Sequence, residues 1–196
     1  MSKISIEDIK KLKELSGAGL TDAKNALVEA DGDFDKALEA MRKKGLTKAE
    51  KRGDRETREG LVDSYVHDGR IGAIVEVNCE TSFVAKTDEF KDLTHKIAMQ
   101  VASMSPLYVS EEDIPKADRE KKMKELEENF KGPEKMKDKI LAGQMKKAFA
   151  DKVLLSQPYI LDDTKTVEAF IKENIAKTGE NITIRQFKRI ELGVTE

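Results

Sequence analysis

Apolar residues recur every three or four positions through the first 45 residues, a spacing that predicts three short amphipathic helices. Ser5 begins the first helix with a capping box, Gly17-Ala18-Gly19 ends it, and Gly45 closes the third. Helices of this length are marginal alone in water, so we expect them to pack as a compact trio. The three apolar stripes are Ile6, Ile9 and Leu12; Leu20, Ala23, Leu27 and Ala30; and Phe34, Ala37, Leu38 and Met41.

A β-hairpin is predicted where apolar residues begin to follow a strand pattern after residue 60. One strand runs from Leu61 to His67, and Asp68-Gly69 is a strong two-residue turn signal. Arg70 begins the return strand, which continues to Val77.

A polar corner, Glu80-Thr81-Ser82, joins this strand to a helix. The hydroxyl of Thr81 or of Ser82 can accept the free amide hydrogens of the helix start. Phe83 then lies in the first helical turn. On spacing alone it is either a core side chain or hydrophobic staple, since most aromatic residues are core, or an aromatic wedge presented to a partner.

Helical periodicity returns in the middle of the chain. The stripe from Phe90 to Met104 predicts an amphipathic helix that Pro106 ends. Residues 111–150 carry two narrow apolar stripes with charged flanks, interrupted by Lys131-Gly132-Pro133. This pattern predicts a helical hairpin of two antiparallel arms.

The last third of the chain supplies the remaining elements. Val153 to Ile160 is predicted to be extended, and Asp162-Asp163 is interpreted as charge at the start of the last helix. Gly179 is well placed to end that helix in a left-handed conformation. Residues 181–191 form a final strand. Three strands with helices between them give an α+β fold with a mainly antiparallel sheet.

Charge and composition narrow the functional classes. Lys and Arg number 36 against 38 Asp and Glu, and the net charge of −2 argues against a general nucleic-acid binder. The charged connector at residues 46–59 is interpreted as a solvated helical linker, with a nucleic-acid patch as the alternative. No apolar run reaches the length of a membrane span and no signal peptide is evident, so we expect a cytoplasmic protein.

The residues that usually carry chemistry do not occur in functional patterns. The single cysteine, Cys79, excludes an internal disulfide and a multi-cysteine zinc site, and it is interpreted as a buried small hydrophobe. His67 and His95 have no paired ligands at metal-binding spacing. No nucleotide-binding loop is present. We therefore expect no metal, no cofactor and no catalytic residue, which indicates a protein-binding function rather than an enzyme.

Three segments together resemble the bacterial translation elongation factor Ts family. They are residues 12–24, residues 76–86 and residues 179–185, which read LKELSGAGLTDAK, EVNCETSFVAK and GENITIR. Their order and spacing make the resemblance specific, and it covers nearly the whole chain. The length is similar to the short, single-core form of the family.

The resemblance implies an architecture that agrees with the pattern analysis. Residues 1–54 would be a ubiquitin-associated-like three-helix domain with its linker. Residues 55–196 would be an α+β dimerisation core, with the hairpin at 111–150 projecting as a coiled coil. The short form of the family implies a homodimer.

The resemblance also implies guanine nucleotide exchange on elongation factor Tu, a GTPase that holds GDP. Phe83 matches an aromatic residue that wedges between two helices of the GTPase and disturbs its phosphate loop and Mg²⁺. Thr81, Ser82 and Val84 flank this wedge. The family usually has aspartate before the aromatic residue, whereas Ser82 can cap a helix but offers no charge.

Secondary partner contacts follow from the same resemblance. Lys13, Leu20 and Thr21 match partner-facing positions of the N-terminal domain, and Thr178 and Gly179 match a second contact loop. His67 at the hairpin tip is a further candidate. The alternatives without a binding role are a core position for Leu20, a helix C-cap for Thr178-Gly179 and an exposed turn for His67.

Two other functions are compatible with the pattern. A passive protein-binding scaffold could use the N-terminal three-helix domain, and the connector from Arg42 to Arg58 could bind RNA. The favoured exchange function predicts no membrane partner and no direct nucleic-acid partner.

Overall fold

The computed structural model describes residues 4–133 and 136–194, and its fold is α+β with a small antiparallel sheet, as predicted. Within these residues the helices are α1 (Ile6–Ser16), α2 (Leu20–Glu29), α3 (Phe34–Glu50), α4 (Ser82–Ala85), α5 (Asp88–Met104), α6 (Lys116–Glu128), α7 (Lys137–Phe149) and α8 (Val167–Thr178). The strands are β1 (Glu59–His67), β2 (Ile71–Cys79), β3 (Pro158–Tyr159), β4 (Asp162–Thr166) and β5 (Ile182–Glu191).

The N-terminal trio forms as predicted. Ser5 caps α1 by accepting a hydrogen bond from the backbone N–H of Asp8 at 3.0 Å. Gly17 ends α1 in the left-handed region, with φ of 66°. The three helices share a small core that contains Leu12, Ala23, Ala26, Leu27, Ala37 and Met41.

The third helix does not end at Gly45, which corrects the predicted boundary. α3 continues through this residue to Glu50 and so includes the first part of the charged connector. A glycine inside a helix costs only about 1 kcal/mol relative to alanine, so it need not end one. Here a methyl group on Gly45 would lie 3.1 Å from the Cβ of Ala176, and the glycine allows α3 to pass close to α8.

The main sheet contains β1, β2 and β5 in the order β1-β2-β5. The predicted hairpin turn is confirmed, because Asp68 and Gly69 have φ of 48° and 65°. The backbone N–H of Arg70 donates to the carbonyl of His67 at 2.9 Å and closes the turn. Two left-handed residues in succession are the geometry of the type I′ hairpin turn.

The predicted helix that begins near Phe90 is also confirmed. α5 ends at Met104, and Ser105 adopts a φ of 46° before Pro106. Two helices, α6 and α7, lie in the region predicted to be a helical hairpin. None of the residues of α6, all of which are described, is buried, whereas α7 buries Leu141 and Phe149.

The segment at 153–160 corrects the prediction of a continuous extended chain. It contains a 3₁₀ turn at Leu154–Ser156 before β3. β3 pairs antiparallel with β4. Gln157 lies in the core although its side chain is polar. It is fully buried, and its amide nitrogen donates to the carbonyls of Met104 and Asp151 at 3.1 and 2.7 Å. A hydrophobic pattern does not register a buried, hydrogen-bonded glutamine.

Asp162 and Asp163 lie in β4 rather than at a helix start, which is a second correction in this region. One carboxylate oxygen of Asp162 accepts hydrogen bonds from the backbone N–H and the hydroxyl of Thr164, at 3.3 and 2.6 Å. These bonds hold Asp162 in a local turn-like contact that competes with a helix-capping role. The last helix begins only at Val167.

By its internal contacts the chain divides into two units. The first comprises the N-terminal helices through Val62, together with Glu76–Thr94 and Ala169–Ile184. The second comprises Asp63–Val75, His95–Glu168 and the chain from Arg185 onward. In the described part of the chain, no helix is both long enough and apolar enough to cross a lipid bilayer.

Candidate functional site

Phe83 projects into solvent. It is 79% exposed, more than any other large apolar side chain among the described residues. The alternatives of a core residue and a buried staple are therefore wrong. An aromatic side chain this exposed has a large apolar surface that is available to a partner.

The turn that carries Phe83 is the single-turn helix α4. Thr81 caps it in an extended conformation, with φ of −128° and ψ of 150°, and its hydroxyl accepts a hydrogen bond from the backbone N–H of Val84 at 3.4 Å. Of the two caps left open by the sequence, Thr81 is thus the one used. Ser82 is an exposed residue of the first turn, whereas Val84 is buried beneath it. The turn consequently separates an outward Phe83 from an inward Val84.

Two glutamates bind the segment before this turn to the segment after α8. The carboxylate of Glu180 accepts from the backbone N–H of Thr81 at 3.0 Å and from its hydroxyl at 2.6 Å. The carboxylate of Glu80 accepts from the backbone N–H of Asn181 at 2.6 Å. Each glutamate therefore bonds the residue that follows the other. Hydrogen bonds to a charged acceptor are roughly twice as strong as neutral ones.

The end of the connector is attached to the same residues. The side-chain amide of Asn181, which is 2% exposed, donates to the carbonyls of Gly53 and Arg55 at 3.1 and 2.8 Å. The guanidinium of Arg55 lies 3.4 Å from the carboxylate of Glu80. The chain between α3 and β1 is thus fixed at the base of the Phe83 turn.

Cys79 lies just before this turn and is buried. Its thiol donates to the carbonyl of Thr81 at 3.3 Å. Burial, together with the nearby negative charge of Glu180, raises the pKa of the Cys79 thiol to about 11. The thiol is therefore neutral at physiological pH, as expected for a packing residue rather than a nucleophile.

Thr178 and Gly179 form the C-terminal cap of α8, as one of the two interpretations proposed. Gly179 has a φ of 77°, and its N–H donates to the carbonyl of Ile175 at 2.9 Å. The Thr178 hydroxyl donates to the carbonyl of Asn174 at 2.9 Å. This cap leads directly into Glu180, so the second predicted contact loop adjoins the Phe83 turn.

The three N-terminal candidates are all on the surface. Leu20 is 54% exposed at the start of α2, so it is not a core residue. Lys13 and Thr21 are also exposed. They belong to the first unit, as do the residues of the Phe83 turn and Thr178-Gly179.

His67 lies in the second unit at the end of β1, where it is exposed. Its Nδ1 lies 3.0 Å from the Tyr65 hydroxyl, and its Nε2 lies 3.6 Å from a carboxylate oxygen of Asp68. The structure therefore does not bring His67 together with the other candidates in one unit.

Sequence reasoning missed the roles of Glu80, Glu180, Asn181 and Arg55. Residues 179–185 were recognised as one matching segment, but nothing in their spacing connects them to residues 80–81, about one hundred positions earlier. No local sequence signal indicates these contacts. Among the described residues no group of three metal-ligating side chains occurs.

Comparisons with known proteins show the family to which the chain is related. The sequence profile of the family described as Elongation factor TS matches residues 5–194. The chain belongs to the elongation factor Ts family. Members of this family are nucleotide exchange factors of translation rather than enzymes, and the expectation of a non-enzymatic protein is thereby confirmed.

Individual elongation factor Ts proteins match over nearly their whole length. The chain is 51% identical to elongation factor Ts of Thermotoga maritima over 193 residues, which covers 97% of each chain. It is 47% identical to that of Fervidobacterium nodosum over 195 residues, covering 97% of this chain and 99% of the relative. It is 49% identical to that of Moorella thermoacetica, covering 97% and 96%.

Proposed function

We propose that this protein is the guanine nucleotide exchange factor of elongation factor Tu and that Phe83 is the side chain it inserts into that GTPase. Membership of the elongation factor Ts family supports the exchange role. The observation that carries the insertion is the 79% exposure of Phe83 on a turn that is capped and cross-bonded at its base.

The energetic argument for Phe83 is the burial of apolar surface. Transferring an exposed phenylalanine into a fully buried site stabilises a complex by about 1.5 to 3 kcal/mol. The backbone of the turn is already fixed by Thr81 and Glu180, so little additional ordering is needed on binding. An anchor of this kind is the usual hot spot of a protein interface.

Exchange follows if the inserted ring distorts the nucleotide site. Bound Mg²⁺ and the amides of the phosphate loop supply much of the affinity of a GTPase for GDP. Weakening them weakens GDP, and by linkage GDP weakens the exchange factor by the same factor. A coupling of about 4 kcal/mol corresponds to roughly a thousandfold change in affinity. The factor accelerates exchange, while nucleotide concentrations decide which nucleotide rebinds.

The remaining candidate contacts are part of the same proposal. The exposed Lys13, Leu20 and Thr21 would touch the GTPase beside the Phe83 turn, and Thr178-Gly179 would form a second contact. His67 would be a further contact. Ser82 would contribute a hydroxyl and no charge. The protein would act in the cytoplasm, where translation takes place.

We also propose the domain plan implied by the family. Residues 1–54 form a ubiquitin-associated-like domain with its linker, and residues 55–196 form the dimerisation core, in which the arms at 111–150 project as a coiled coil. A homodimer is supported by exposed apolar side chains on strands of the sheet, Val66, Ile74 and Ile190. Exposed apolar side chains that form a contiguous patch mark interfaces between proteins.

The dimer has a direct test in sedimentation equilibrium. Val66→Glu should convert the dimer to a monomer because it places a charge on an exposed apolar position of the sheet. Val28→Glu, on an exposed apolar position of α2, should leave the dimer intact. A wild-type protein that sediments as a monomer at micromolar concentration would show that the dimer proposal is wrong.

The exchange function is tested by the release of fluorescent GDP from elongation factor Tu. Catalytic amounts of the protein should accelerate release by orders of magnitude, in the presence of excess unlabelled GDP. The alternative function, a passive scaffold that uses the three-helix domain, predicts binding to a partner without any change in the release rate. Binding to RNA at low salt would instead support a role for the connector.

A further inference from the structure

We propose that Glu180 is a positioning residue for the Phe83 turn. It holds Thr81, and through Thr81 the direction in which Phe83 points. The proposal rests on the proposed exchange function, since direction matters only if Phe83 enters a partner.

Glu180 holds Thr81 at two points. One oxygen of Glu180 accepts the backbone N–H of Thr81 and the other accepts its hydroxyl, at 3.0 and 2.6 Å. A residue held at its backbone and its side chain by one carboxylate has little freedom to rotate. These are charge-assisted bonds, which have stricter geometry and more energy than neutral ones.

The contact with Glu180 also affects the N-cap of α4. The Thr81 hydroxyl donates its hydrogen to Glu180, which leaves a lone pair to accept the N–H of Val84 at 3.4 Å. Glu180 therefore fixes the orientation of the hydroxyl that caps α4. Phe83 lies between the two residues that this hydroxyl connects.

The other glutamate makes the reciprocal contact. Glu80 accepts the backbone N–H of Asn181, the neighbour of Glu180, at 2.6 Å. The buried side chain of Asn181 is itself bonded to the connector at Gly53 and Arg55. The segment that carries Glu180 is thus a fixed support, and the Phe83 turn is the part that it orients.

Phe83 itself supplies no restraint, because most of its surface contacts only solvent. The contact between Glu180 and the exposed Thr81 restrains one turn at the surface, so its loss should change the local order of α4 more than the stability of the whole protein. Loss of Glu180 should consequently misdirect the wedge without unfolding the protein.

The test is a double-mutant cycle between Glu180→Gln and Phe83→Ala in the GDP-release assay. Glu180→Gln should lower kcat/KM for exchange by about tenfold, the size expected for a lost charged hydrogen bond. In the Phe83→Ala background the same change should lower it by less than about twofold, because Glu180 acts through Phe83. Glu29→Gln, at the exposed end of α2, should change nothing in either background.

Two substitutions at Thr81 provide a second arm that does not depend on the folding of the Glu180 variant. Thr81→Val should reproduce the defect of Glu180→Gln, and Thr81→Ser, which keeps the hydroxyl, should be impaired less than Thr81→Val. Without any partner, hydrogen exchange at the amides of Val84 and Ala85 should accelerate in Glu180→Gln and in Thr81→Val, while the melting temperature of each variant stays near that of the wild type.

The outcomes separate this proposal from the one on which it rests. Normal exchange by Phe83→Ala would overturn the insertion itself. Defective Phe83→Ala with normal Glu180→Gln and Thr81→Val would overturn only the positioning role. An equal loss from Glu180→Gln in both backgrounds would also overturn it, because Glu180 would then act independently of Phe83.

Discussion

Gly17, at the end of α1, lies directly against Lys177 in the last turn of α8. A methyl group on Gly17 would lie 2.4 Å from Cγ and 2.9 Å from Cα of Lys177. Gly17 also has a φ of 66°, in the left-handed region that favours glycine. Both the available space and the backbone conformation therefore require glycine where the N-terminal helices meet the segment that leads to Glu180.

Gly17→Ala should lower the free energy of unfolding by about 2 to 4 kcal/mol, since a left-handed alanine and an overpacked contact each cost roughly 1 to 2 kcal/mol or more. Urea denaturation measures this change. Gly19→Ala is the matched control, because nothing lies within 4 Å of a methyl group there and its φ is −67°. Equal stability of the Gly17 and Gly19 variants would contradict the close contact.

Asn181→Ala should destabilise the protein by about 1 to 3 kcal/mol, because it removes the two hydrogen bonds to the carbonyls of Gly53 and Arg55. The same denaturation experiment applies. Asn25→Ala on the exposed face of α2 should be neutral or slightly stabilising, since alanine favours a helix. A neutral Asn181→Ala would mean that the connector is not anchored by this side chain.

We predict that ionisation of the Cys79 thiol lowers the free energy of unfolding in alkaline solution. Burial raises the thiol pKa from 9.0 to about 11, so the folded state favours the neutral thiol. Its contribution is complete below pH 9 and disappears as the pH rises through 11, a loss of about 2 to 3 kcal/mol at about 1.4 kcal/mol per pKa unit. Comparing wild type with Cys79→Ala by denaturation at several pH values isolates this term from other titrating groups. Parallel stability profiles for the two proteins would refute it.

Because residue 82 is a serine, we predict that the exchange factor makes no charged contact beside Phe83. Ser82→Ala should change exchange by less than about twofold, because Ser82 is exposed and Thr81 is the cap. Ser82→Asp should leave the fold intact, since a negative charge is tolerated in the first turn of a helix. Measuring kcat/KM at low and high salt separates the two: only the aspartate variant should become salt-dependent. A large defect in Ser82→Ala would show that the Ser82 hydroxyl contributes much more to exchange than predicted.

The helices with strong apolar periodicity and the β1–β2 hairpin could be predicted from sequence because their signals are local. The stripe from Phe90 to Val101 and the Asp68-Gly69 turn each determine their own structure. The β3–β4 pair escaped prediction because β3 is only two residues long and the core position beside it is a glutamine. The predicted end of the third helix at Gly45 was wrong because a favourable packing contact outweighs the modest cost of one glycine in a helix.

The candidate site divides in the same way. Residue type limits the N-cap of the helix that carries Phe83 to Thr81 or Ser82. The contact of Thr81 with Glu180 explains why Thr81 is the cap. That contact joins residues 99 positions apart, and no local pattern encodes it. The exposure of Phe83 likewise depends on the tertiary placement of α4, since spacing alone favoured a buried ring.

The exposed ring of Phe83 is the part of the protein that we propose drives nucleotide release. This is measured by the rate of fluorescent GDP release from elongation factor Tu with wild type and Phe83→Ala, using Leu161→Ala as a control at another exposed apolar position. Phe83→Ala should lower kcat/KM by about 10- to 100-fold, the equivalent of losing about 1.5 to 3 kcal/mol of buried apolar contact, with an unchanged circular dichroism spectrum. Wild-type exchange by a folded Phe83→Ala protein would contradict the account.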